Sequence, residues 1–181
     1  MEKKLKKSIV ITGCSSGIGE ALVEKFISED FFVFGSVRDK YSSKRLQDKY
    51  GKRFLPLVFD VTKRFEIEKA FSKVKSKLNG ENLDLLINNA GIAKLGPVEH
   101  IEQEEFSQHL DTMVVGTFNC VQVFLPLLGT ANKDKRPGKI INISSGGGTI
   151  GQPFMSSYCA SKHALEGFSE SLRRELMMHK I

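Results

Sequence analysis

TGCSSGIG (residues 12–19) decides the fold, because it places three glycines between a short apolar run and a helical pattern. The run SIVIT (8–12) predicts a buried strand, and GIGEALVEKFISE (17–29) spaces its apolar residues along one face of a helix. A glycine-rich turn of this kind leaves free N–H groups at the helix start, and such groups bind anions. The stretch therefore predicts a phosphate-binding turn.

Each glycine in this turn has an expected part. Gly13 permits a tight turn, Gly17 lets the backbone approach a ligand, and Gly19 lets the helix pack closely on the strand. The spacing is G-x-x-x-G-x-G, and the G-K-[ST] ending of a nucleotide-hydrolysing loop is missing. The turn therefore favours a dinucleotide over ATP or GTP hydrolysis.

The rest of the chain alternates strand and helix patterns. Further strands are predicted at 31–37, 54–61, 83–90 and 139–144, with Pro56 weakening the second of these. Further helices are predicted around Ile67 to Leu78, at 103–128 and at 156–179. Unbroken apolar strands separated by helices predict a doubly wound α/β fold, a parallel sheet with helices on both faces. We expect one domain over 1–181.

Composition is that of an ordinary globular chain, with 40% hydrophobic and 27% charged residues and a net charge of +6. Basic runs at 3–7 and 132–136 are compatible with nucleic acid or anionic lipid, but no aromatic residues interleave with them, which favours solvated segments. No apolar run predicts a membrane span, and the N-terminus does not resemble a signal peptide.

Three cysteines without a C-x-x-C pair indicate reduced thiols, so we expect a cytoplasmic protein. The histidines do not cluster with cysteine or carboxylates at ligand spacing, so no metal is predicted. Cys14, at a helix start, has two interpretations: a redox-active thiol of lowered pKa, or a residue packed against the strand.

Ligands of such sheets bind beyond the carboxyl ends of the strands, so the loops there are expected to carry the chemistry. At the end of the second strand the chain has Arg38 followed by Asp39. An arginine suits the extra phosphate of NADP, and an acidic residue suits the ribose hydroxyls of NAD. Arg38 therefore favours NADP as the cofactor, while Asp39 leaves NAD possible. In a third interpretation Arg38 is only a charged residue of a surface loop.

The motifs TGCSSGIG, NNAG (88–91), NISS (142–145) and YCASK (158–162) occur in this order. Together they resemble the short-chain dehydrogenase/reductase family over essentially the whole chain. The stretch GQPFMSSYCASKHALEGFSESL is similar to hydroxysteroid and retinol dehydrogenase branches. The resemblance implies a Rossmann fold and hydride transfer between NADP(H), or NAD(H), and an alcohol or ketone.

The resemblance also assigns roles to residues. It places the cofactor's pyrophosphate and adenosine along Gly13, Ser15, Ser16, Gly17, Ile18 and Gly19. It places the adenine between Asp60 and Val61, and the nicotinamide ribose along Asn89, Ala90, Gly91 and Lys162. The catalytic residues it implies are Ser145, Tyr158 and Lys162, because Ser145 precedes Tyr158 by the family's usual thirteen residues (158 − 145). Ser144 is the alternative serine.

The chemistry fits these roles. A free tyrosine has a pKa of about 10, and a nearby ammonium and an oxidised nicotinamide favour its phenolate. Of the three tyrosines only Tyr158 has a lysine four residues on, which places both side chains on one helix face. A serine hydroxyl can stabilise the oxygen on which charge develops.

Two departures from the family pattern matter. Met113 stands where the family commonly has an asparagine that relays protons to the lysine. Either the relay is altered, using Thr112 or bulk water, or Met113 simply packs in the interior. The chain also ends at Ile181, where the family pattern continues with further strands, so we expect a partial chain with an incomplete substrate pocket.

Phe154 and Met155 form either an apolar substrate wall or part of the core, and a lipophilic substrate is the expectation. A homodimer or homotetramer through the helices at 103–128 and 156–179 is implied by the resemblance. Two alternatives remain: a cofactor-binding regulator that has lost catalysis, and an unrelated mononucleotide-binding interaction protein.

Overall fold

The computed structural model describes residues 7–131 and 134–181. The strands are β1 (Ser8–Ile11), β2 (Phe32–Val37), β3 (Phe54–Val58), β4 (Leu85–Asn88) and β5 (Lys139–Asn142). The α-helices are α1 (Gly17–Ser28), α2 (Lys40–Tyr50), α3 (Arg64–Leu78), α4 (Gln103–Leu110), α5 (Gly116–Phe124) and α6 (Ser156–Leu176). Short 3-10 turns lie at Gly51–Arg53, Val98–His100, Leu125–Leu128, Gly146–Gly148 and Met177–His179.

The strands form one parallel sheet in the order β3-β2-β1-β4-β5. The chain moves outward in one direction through β2 and β3, then returns to the other side of β1 for β4 and β5. The carboxyl ends of β1 and β4 therefore flank the point where the winding reverses, which is where such sheets bind ligands. The predicted doubly wound fold is confirmed, with helices on both faces.

Alternating strand residues supply the two layers of core. One layer combines strand residues with α1 and α2, and its members include Ile9, Ile11, Val23, Val33, Leu46 and Ile87. The other combines strand residues with α3 and α5, and its members include Val10, Phe34, Ile67, Val74, Leu86 and Phe124. Because both faces of this parallel sheet are buried, apolar residues are needed at successive positions along each strand.

Helix α2 was not predicted from the sequence. KYSSKRLQDKY has a single buried residue, Leu46, so its apolar periodicity is faint. Asp39 starts the helix, because its side chain accepts a hydrogen bond from the Ser42 N–H at 2.7 Å. Pro56 does not prevent strand formation in β3. This strand lies at the edge of the sheet and pairs only with β2, and an edge strand tolerates a residue without an N–H.

The predicted long helical stretch is continuous from α4 to the 3-10 turn ending at Leu128, with a π-helical segment, Asp111–Val115, between α4 and α5. By length and composition this stretch could cross a membrane. Its buried residues, among them Cys120 and Phe124, instead pack against the sheet and α3. This packing is that of a core helix.

The basic runs are only partly described. Lys3, Lys4 and Lys6 lie outside the described residues, as do positions 132–133. Within the second run, Lys135 donates hydrogen bonds to the Glu81 carboxylate at 2.7 Å and to the Gly80 carbonyl at 2.9 Å. This lysine is therefore engaged within the fold.

Candidate active site

The phosphate turn is locked to the end of β4. Thr12 Oγ1 accepts hydrogen bonds from the N–H groups of Asn89 (2.9 Å) and Ala90 (3.0 Å). The Asn89 side-chain amide donates in return to the carbonyls of Thr12 (2.9 Å) and Gly13 (3.0 Å). Two motifs that are far apart in sequence therefore form one rigid unit at the carboxyl edge of the sheet.

Two glycines in the turn are required by space. Gly13 has φ +69°, and a Cβ built on it would lie 2.9 Å from the Ala90 Cα. A Cβ on Gly19 would lie 2.0 Å from the Gly13 carbonyl oxygen. Gly17, by contrast, faces open space, with no atom within 4 Å of a Cβ. Gly13 and Gly19 are therefore needed for close packing, whereas Gly17 is needed for its backbone conformation, with φ +56°.

A cavity of about 400 Å³ begins at this turn. Its lining residues fall into four groups: the phosphate turn and the end of β2, the loops after β3 and β4, Thr112 of the π-helical segment, and the start of α6 with the loop that follows β5. The predicted residues in its wall are Gly13, Ser15, Ser16, Ile18, Gly19, Arg38, Asp60, Val61, Asn89, Ala90, Gly91, Tyr158 and Lys162. Of the predicted residues, Gly17 and Ser145 are not in that wall, and Ser144 is.

Arg38 and Asp39 face different surroundings. Arg38 is exposed and lines the cavity. Both carboxylate oxygens of Asp39 are engaged by Ser42, which donates from its backbone N–H at 2.7 Å and from its hydroxyl at 2.8 Å. These hydrogen bonds, the backbone bond foremost, hold the pKa of Asp39 below its ordinary value. Asp39 is thus the capping residue of α2.

The loop after β3 forms the far wall of the cavity. Asp60 Oδ1 accepts from the Thr62 backbone N–H (2.9 Å) and hydroxyl (2.8 Å), which fixes the carboxylate beside the cavity. Val61 is buried, and a Cβ on Gly116 would lie 2.6 Å from its Cγ2. Helix α5 therefore approaches this loop closely and holds its backbone in place.

Tyr158 and Lys162 lie one helical turn apart on α6, and both line the cavity. The Lys162 ammonium is 5.8 Å from the centre of the Tyr158 ring and donates a 2.7 Å hydrogen bond to the Ile143 carbonyl. Burial lowers the pKa of Lys162, an effect that the charge of Glu166 opposes. The pair therefore places a positive charge beside a half-buried phenol.

The two candidate serines differ in their surroundings. Ser145 caps the 3-10 turn Gly146–Gly148, and its Oγ accepts from the Gly147 N–H at 3.2 Å. That turn touches the tyrosine, because a Cβ on Gly147 would lie 3.2 Å from Tyr158 Cε1. Ser144 Oγ is buried without a hydrogen-bond partner among the described residues. Ser144 therefore lies in the cavity wall with Tyr158, and Ser145 starts the turn that touches Tyr158.

Met113 occupies the centre of the π-helical segment and is 1% exposed. A Cβ on Gly91 would lie 3.6 Å from its sulfur, so the side chain packs below the loop that follows β4. Its carbonyl accepts a hydrogen bond from Thr117 Oγ1 at 2.8 Å. Thr112, the neighbouring polar residue, does line the cavity.

Cys14 is buried and packs in the core layer beside α1. Burial raises the pKa of its thiol to about 12, so the redox-active interpretation is wrong and the packing interpretation holds. All three cysteines are buried and unpaired. Among the described residues, no group of three or more His, Cys, Asp and Glu side chains is arranged to hold a metal ion.

Sequence reasoning missed two supports of the turn. Ser36 Oγ accepts from the Gly13 N–H at 3.0 Å, a role that a small polar residue at the end of β2 could have indicated. Arg45 on α2 donates to the Ser15 carbonyl at 2.6 Å and makes a bidentate ion pair with Glu20. Since α2 itself was not predicted, nothing in the sequence pointed to Arg45.

The family model for short chain dehydrogenases matches residues 7–181, so the chain belongs to the short-chain dehydrogenase family. An NADPH-dependent 3-dehydrocapnine reductase of Ornithobacterium rhinotracheale is 41% identical over 172 residues, which are 95% of this chain and 61% of the relative. The 17-beta-hydroxysteroid dehydrogenase type 1 of Homo sapiens is 35% identical over 169 residues, 91% of this chain and 50% of the relative. The resemblance to hydroxysteroid dehydrogenases is therefore confirmed, and an unrelated mononucleotide-binding protein is excluded.

The fold is shared with solved structures of the family. The crystal structure of 3-ketoacyl-(acyl-carrier-protein) reductase from Brucella melitensis complexed with NADH matches with a TM-score of 0.91 and 28% identity, covering 99% of this chain and 74% of that chain. The chain spans 61% and 50% of the lengths of the two curated relatives.

Proposed function

We propose that the full-length protein is an oxidoreductase that transfers a hydride between NADP(H) and an alcohol or ketone, with Tyr158 as the proton donor and acceptor. The observation that carries this proposal is that a single cavity joins the phosphate turn to the Tyr158 and Lys162 pair. A ligand that reaches from one to the other must be elongated, with an anionic part near the turn and its reactive end near the phenol.

A nicotinamide dinucleotide fits the residues present. The open surface at Gly17 and the free N–H groups of the first turn of α1 suit a pyrophosphate. Asp60 and Val61 would hold the adenine, and Asn89 to Gly91 with Lys162 would hold the nicotinamide ribose. When bound, the nicotinamide supplies or accepts the hydride at carbon.

Residues of the chain itself transfer the proton to or from the substrate oxygen and stabilise the charge on it. In reduction the Tyr158 phenol donates its proton to the carbonyl oxygen, and in oxidation the phenolate takes the proton from the alcohol. The adjacent Lys162 ammonium stabilises the phenolate in either direction. Ser145 is proposed to donate a hydrogen bond to the same oxygen, with Ser144 as the alternative donor.

NADP(H) is the preferred cofactor in this proposal, with NAD(H) the alternative. Arg38 lines the cavity with its charge unengaged by any hydrogen bond or ion pair among the described residues, while Asp39 is committed to the start of α2. A free guanidinium next to the adenosine end suits a 2′-phosphate. One relative is described as NADPH-dependent, and one structural neighbour holds NADH.

A lipophilic substrate is proposed from exposed apolar side chains on the loop after β4 and on the loop before α6. Phe154 is 63% exposed, so it is not part of the core, and Leu95, in the loop after β4, and Val98, directly after that loop, are exposed as well. The Gly96 N–H donates to the Phe154 carbonyl at 2.9 Å, which joins these two loops. The names of the relatives, a 3-dehydrocapnine reductase and a hydroxysteroid dehydrogenase, support an apolar alcohol or ketone.

Assembly and location are further parts of the proposal. Val115 and Phe118 are both 44% exposed on the stretch 103–128, and Phe118 makes an edge contact with Phe168 of α6. This apolar surface supports a homodimer or homotetramer through these helices. Three buried, unpaired cysteines support a reducing compartment, the cytoplasm.

A catalytically impaired NAD(P)-binding regulator is the second candidate, because Met113 replaces the family's usual asparagine. Titrating full-length protein with NADPH and NADH, then following NADPH absorbance with a panel of apolar ketones, separates the two. Turnover supports the reductase. Tight NADPH binding without turnover of any ketone favours the regulator, and a failure to bind either cofactor refutes both.

A further inference from the structure

His109 is a fully buried histidine on α4, with 0% exposure, and the proposed chemistry does not use it. Its Nε2 accepts a hydrogen bond from the Lys94 backbone N–H at 3.1 Å. Its Nδ1 lies 2.8 Å from the Glu105 carbonyl oxygen. Because Nε2 is an acceptor here, the ring is neutral and Nδ1 carries the proton that it donates to Glu105.

The segment 91–96, which His109 holds through Lys94, forms part of the cavity wall. It has no regular secondary structure, and Gly91, Ile92 and Ala93 line the cavity. Its other backbone anchor is the hydrogen bond from the Gly96 N–H to the Phe154 carbonyl. Phe154 precedes Tyr158 by four residues (158 − 154), so the segment connects α4 to the start of α6.

The ion pair between Lys94 Nζ and Glu105, at 2.8 Å, is a weaker anchor. The two side chains are 49% and 34% exposed, and ion pairs in contact with water contribute little. The His109 ring is fully buried and its bond to the Lys94 N–H is part-buried, so water competes less for this contact than for the ion pair. His109 is therefore the group on α4 that decides where the segment lies.

We propose that His109 is a positioning residue that fixes the segment 91–96 as the wall for the nicotinamide half of the cofactor. The inference deepens the proposed function and rests on it for the identity of the ligand. The contact itself, between an imidazole nitrogen and one backbone N–H, is testable without any ligand.

Amide hydrogen exchange at Lys94 in the full-length protein reports this contact directly. His109→Leu removes the acceptor and should lower the protection of the Lys94 amide by about tenfold, the factor expected for the loss of one hydrogen bond. His109→Gln keeps an acceptor at similar reach and should restore most of the protection. In His109→Asn the side chain is too short to reach Lys94, so this variant should lose protection as His109→Leu does. It replaces His109→Leu in the experiment if the leucine variant does not fold.

His163→Leu is the matched control. Its ring Nδ1 also lies close to the carbonyl four residues before it, that of Cys159 at 2.9 Å, but its ring is exposed and holds no loop N–H among the described residues. Exchange at Lys94 should be unchanged in this variant. Wild-type protection of Lys94 in both His109→Leu and His109→Asn overturns the proposal.

The affinities for NADPH and for 2′,5′-ADP then test whether the segment 91–96 contributes to binding of the nicotinamide half. His109→Leu should bind NADPH about fivefold more weakly, whereas 2′,5′-ADP, which lacks the nicotinamide half, should bind as to wild type. An equal loss for both ligands indicates general damage and overturns the positioning role. If wild-type protein binds neither ligand, the proposed function fails, while the exchange experiment still decides the contact.

Discussion

The Lys162 ammonium donates a hydrogen bond to the Ile143 carbonyl, and this contact ties α6 to the carboxyl end of β5. Ile143 directly follows the last residue of the strand. The bond holds a buried lysine one helical turn from Tyr158 and accounts for one of its three donor hydrogens, which leaves two for a ligand's hydroxyls or the phenol. The orientation of Lys162 is thus set by a contact within the fold itself.

Tyr158→Phe tests the proton-transfer role. Removing the phenol hydroxyl should lower kcat by about 10²- to 10⁴-fold, the usual contribution of general acid–base catalysis. The dissociation constant for NADPH should change little, because the ring stays packed against Gly147. Tyr41→Phe, at a tyrosine that is 78% exposed on α2, is the control and should behave as wild type. A Tyr158→Phe enzyme of near-normal kcat would rule out the assignment.

Ser145→Ala and Ser144→Ala separate the two serines. If Ser145 supplies the hydrogen bond to the reacting oxygen, its alanine variant should lose about 10²- to 10³-fold in kcat. Ser144→Ala should retain activity and melt at the same or a higher temperature, because it removes a buried hydroxyl that has no partner among the described residues. Steady-state kinetics on both variants decides, and the reverse pattern moves the role to Ser144.

The sequence predicted most of what depends on local pattern. The strand, turn and helix around residues 12–19 were predicted because the glycines and the apolar periodicity are local features. Helix α2 was not, since Leu46 is its one buried residue and its stability comes from a cap and from ion pairs across to α1. The ion-pair partner, Glu20, is distant in sequence, and neither it nor the single cap residue Asp39 leaves a periodic trace.

The site shows the same division. The residues of the turn and the Tyr158 and Lys162 pair were identified from motifs, and the cavity brings them together. The supports of the turn, Ser36 and Arg45, were missed because each acts through one backbone contact. A single contact of this kind is set by packing of whole elements, which spacing along the chain does not encode.

Arg38 and Arg45 should affect cofactor binding in different ways. Arg38→Leu should lower the affinity for NADPH by about tenfold and leave the affinity for NADH unchanged. The reason is that it removes a charge proposed to contact only the 2′-phosphate, which NADH lacks. Arg45→Leu should weaken the binding of both cofactors alike, since it removes the hydrogen bond that holds the Ser15 carbonyl of the turn in place. Fluorescence titrations with the two cofactors give the four dissociation constants.

Lys49→Met is the control for the arginine pair. Lys49 also pairs with Glu20, at 3.0 Å, but the described residues include no contact from its side chain to the turn. Its loss should therefore leave both affinities near those of wild type. An Arg45→Leu variant that changed only NADPH affinity would show that Arg45 acts on the 2′-phosphate rather than on the turn.

Glu20 should make the fold sensitive to acid. Hydrogen bonds from Arg45 and Lys49 lower its pKa from 4.5 to about 2. Below pH 4.5 the unfolded chain therefore binds a proton that the folded chain does not, so this part of the stability is present above pH 4.5 and is lost as the pH falls towards 2. Glu20→Gln should be less stable than wild type at pH 7, and the difference should shrink towards pH 2.

Urea unfolding at pH 7, 4 and 3 measures that difference. Glu24→Gln is the matched control, because Glu24 is 71% exposed and reaches Lys49 only at 4.0 Å. Its unfolding midpoint should follow wild type at each pH. A constant gap between Glu20→Gln and wild type across the series would contradict the assignment of the pKa to this ion pair.

Met113→Asn tests whether the methionine limits turnover. If the proton relay to Lys162 is impaired, restoring an amide at this position should raise kcat several-fold. The same change buries an amide in a site that now holds an apolar side chain at 1% exposure, so stability should fall by about 1–3 kcal/mol. Met113→Leu keeps volume and apolar character, and should leave both kcat and stability nearly unchanged. A rise in kcat confined to the asparagine variant assigns the defect to the missing amide, whereas equal kcat in all three proteins shows that Met113 only packs beneath Gly91.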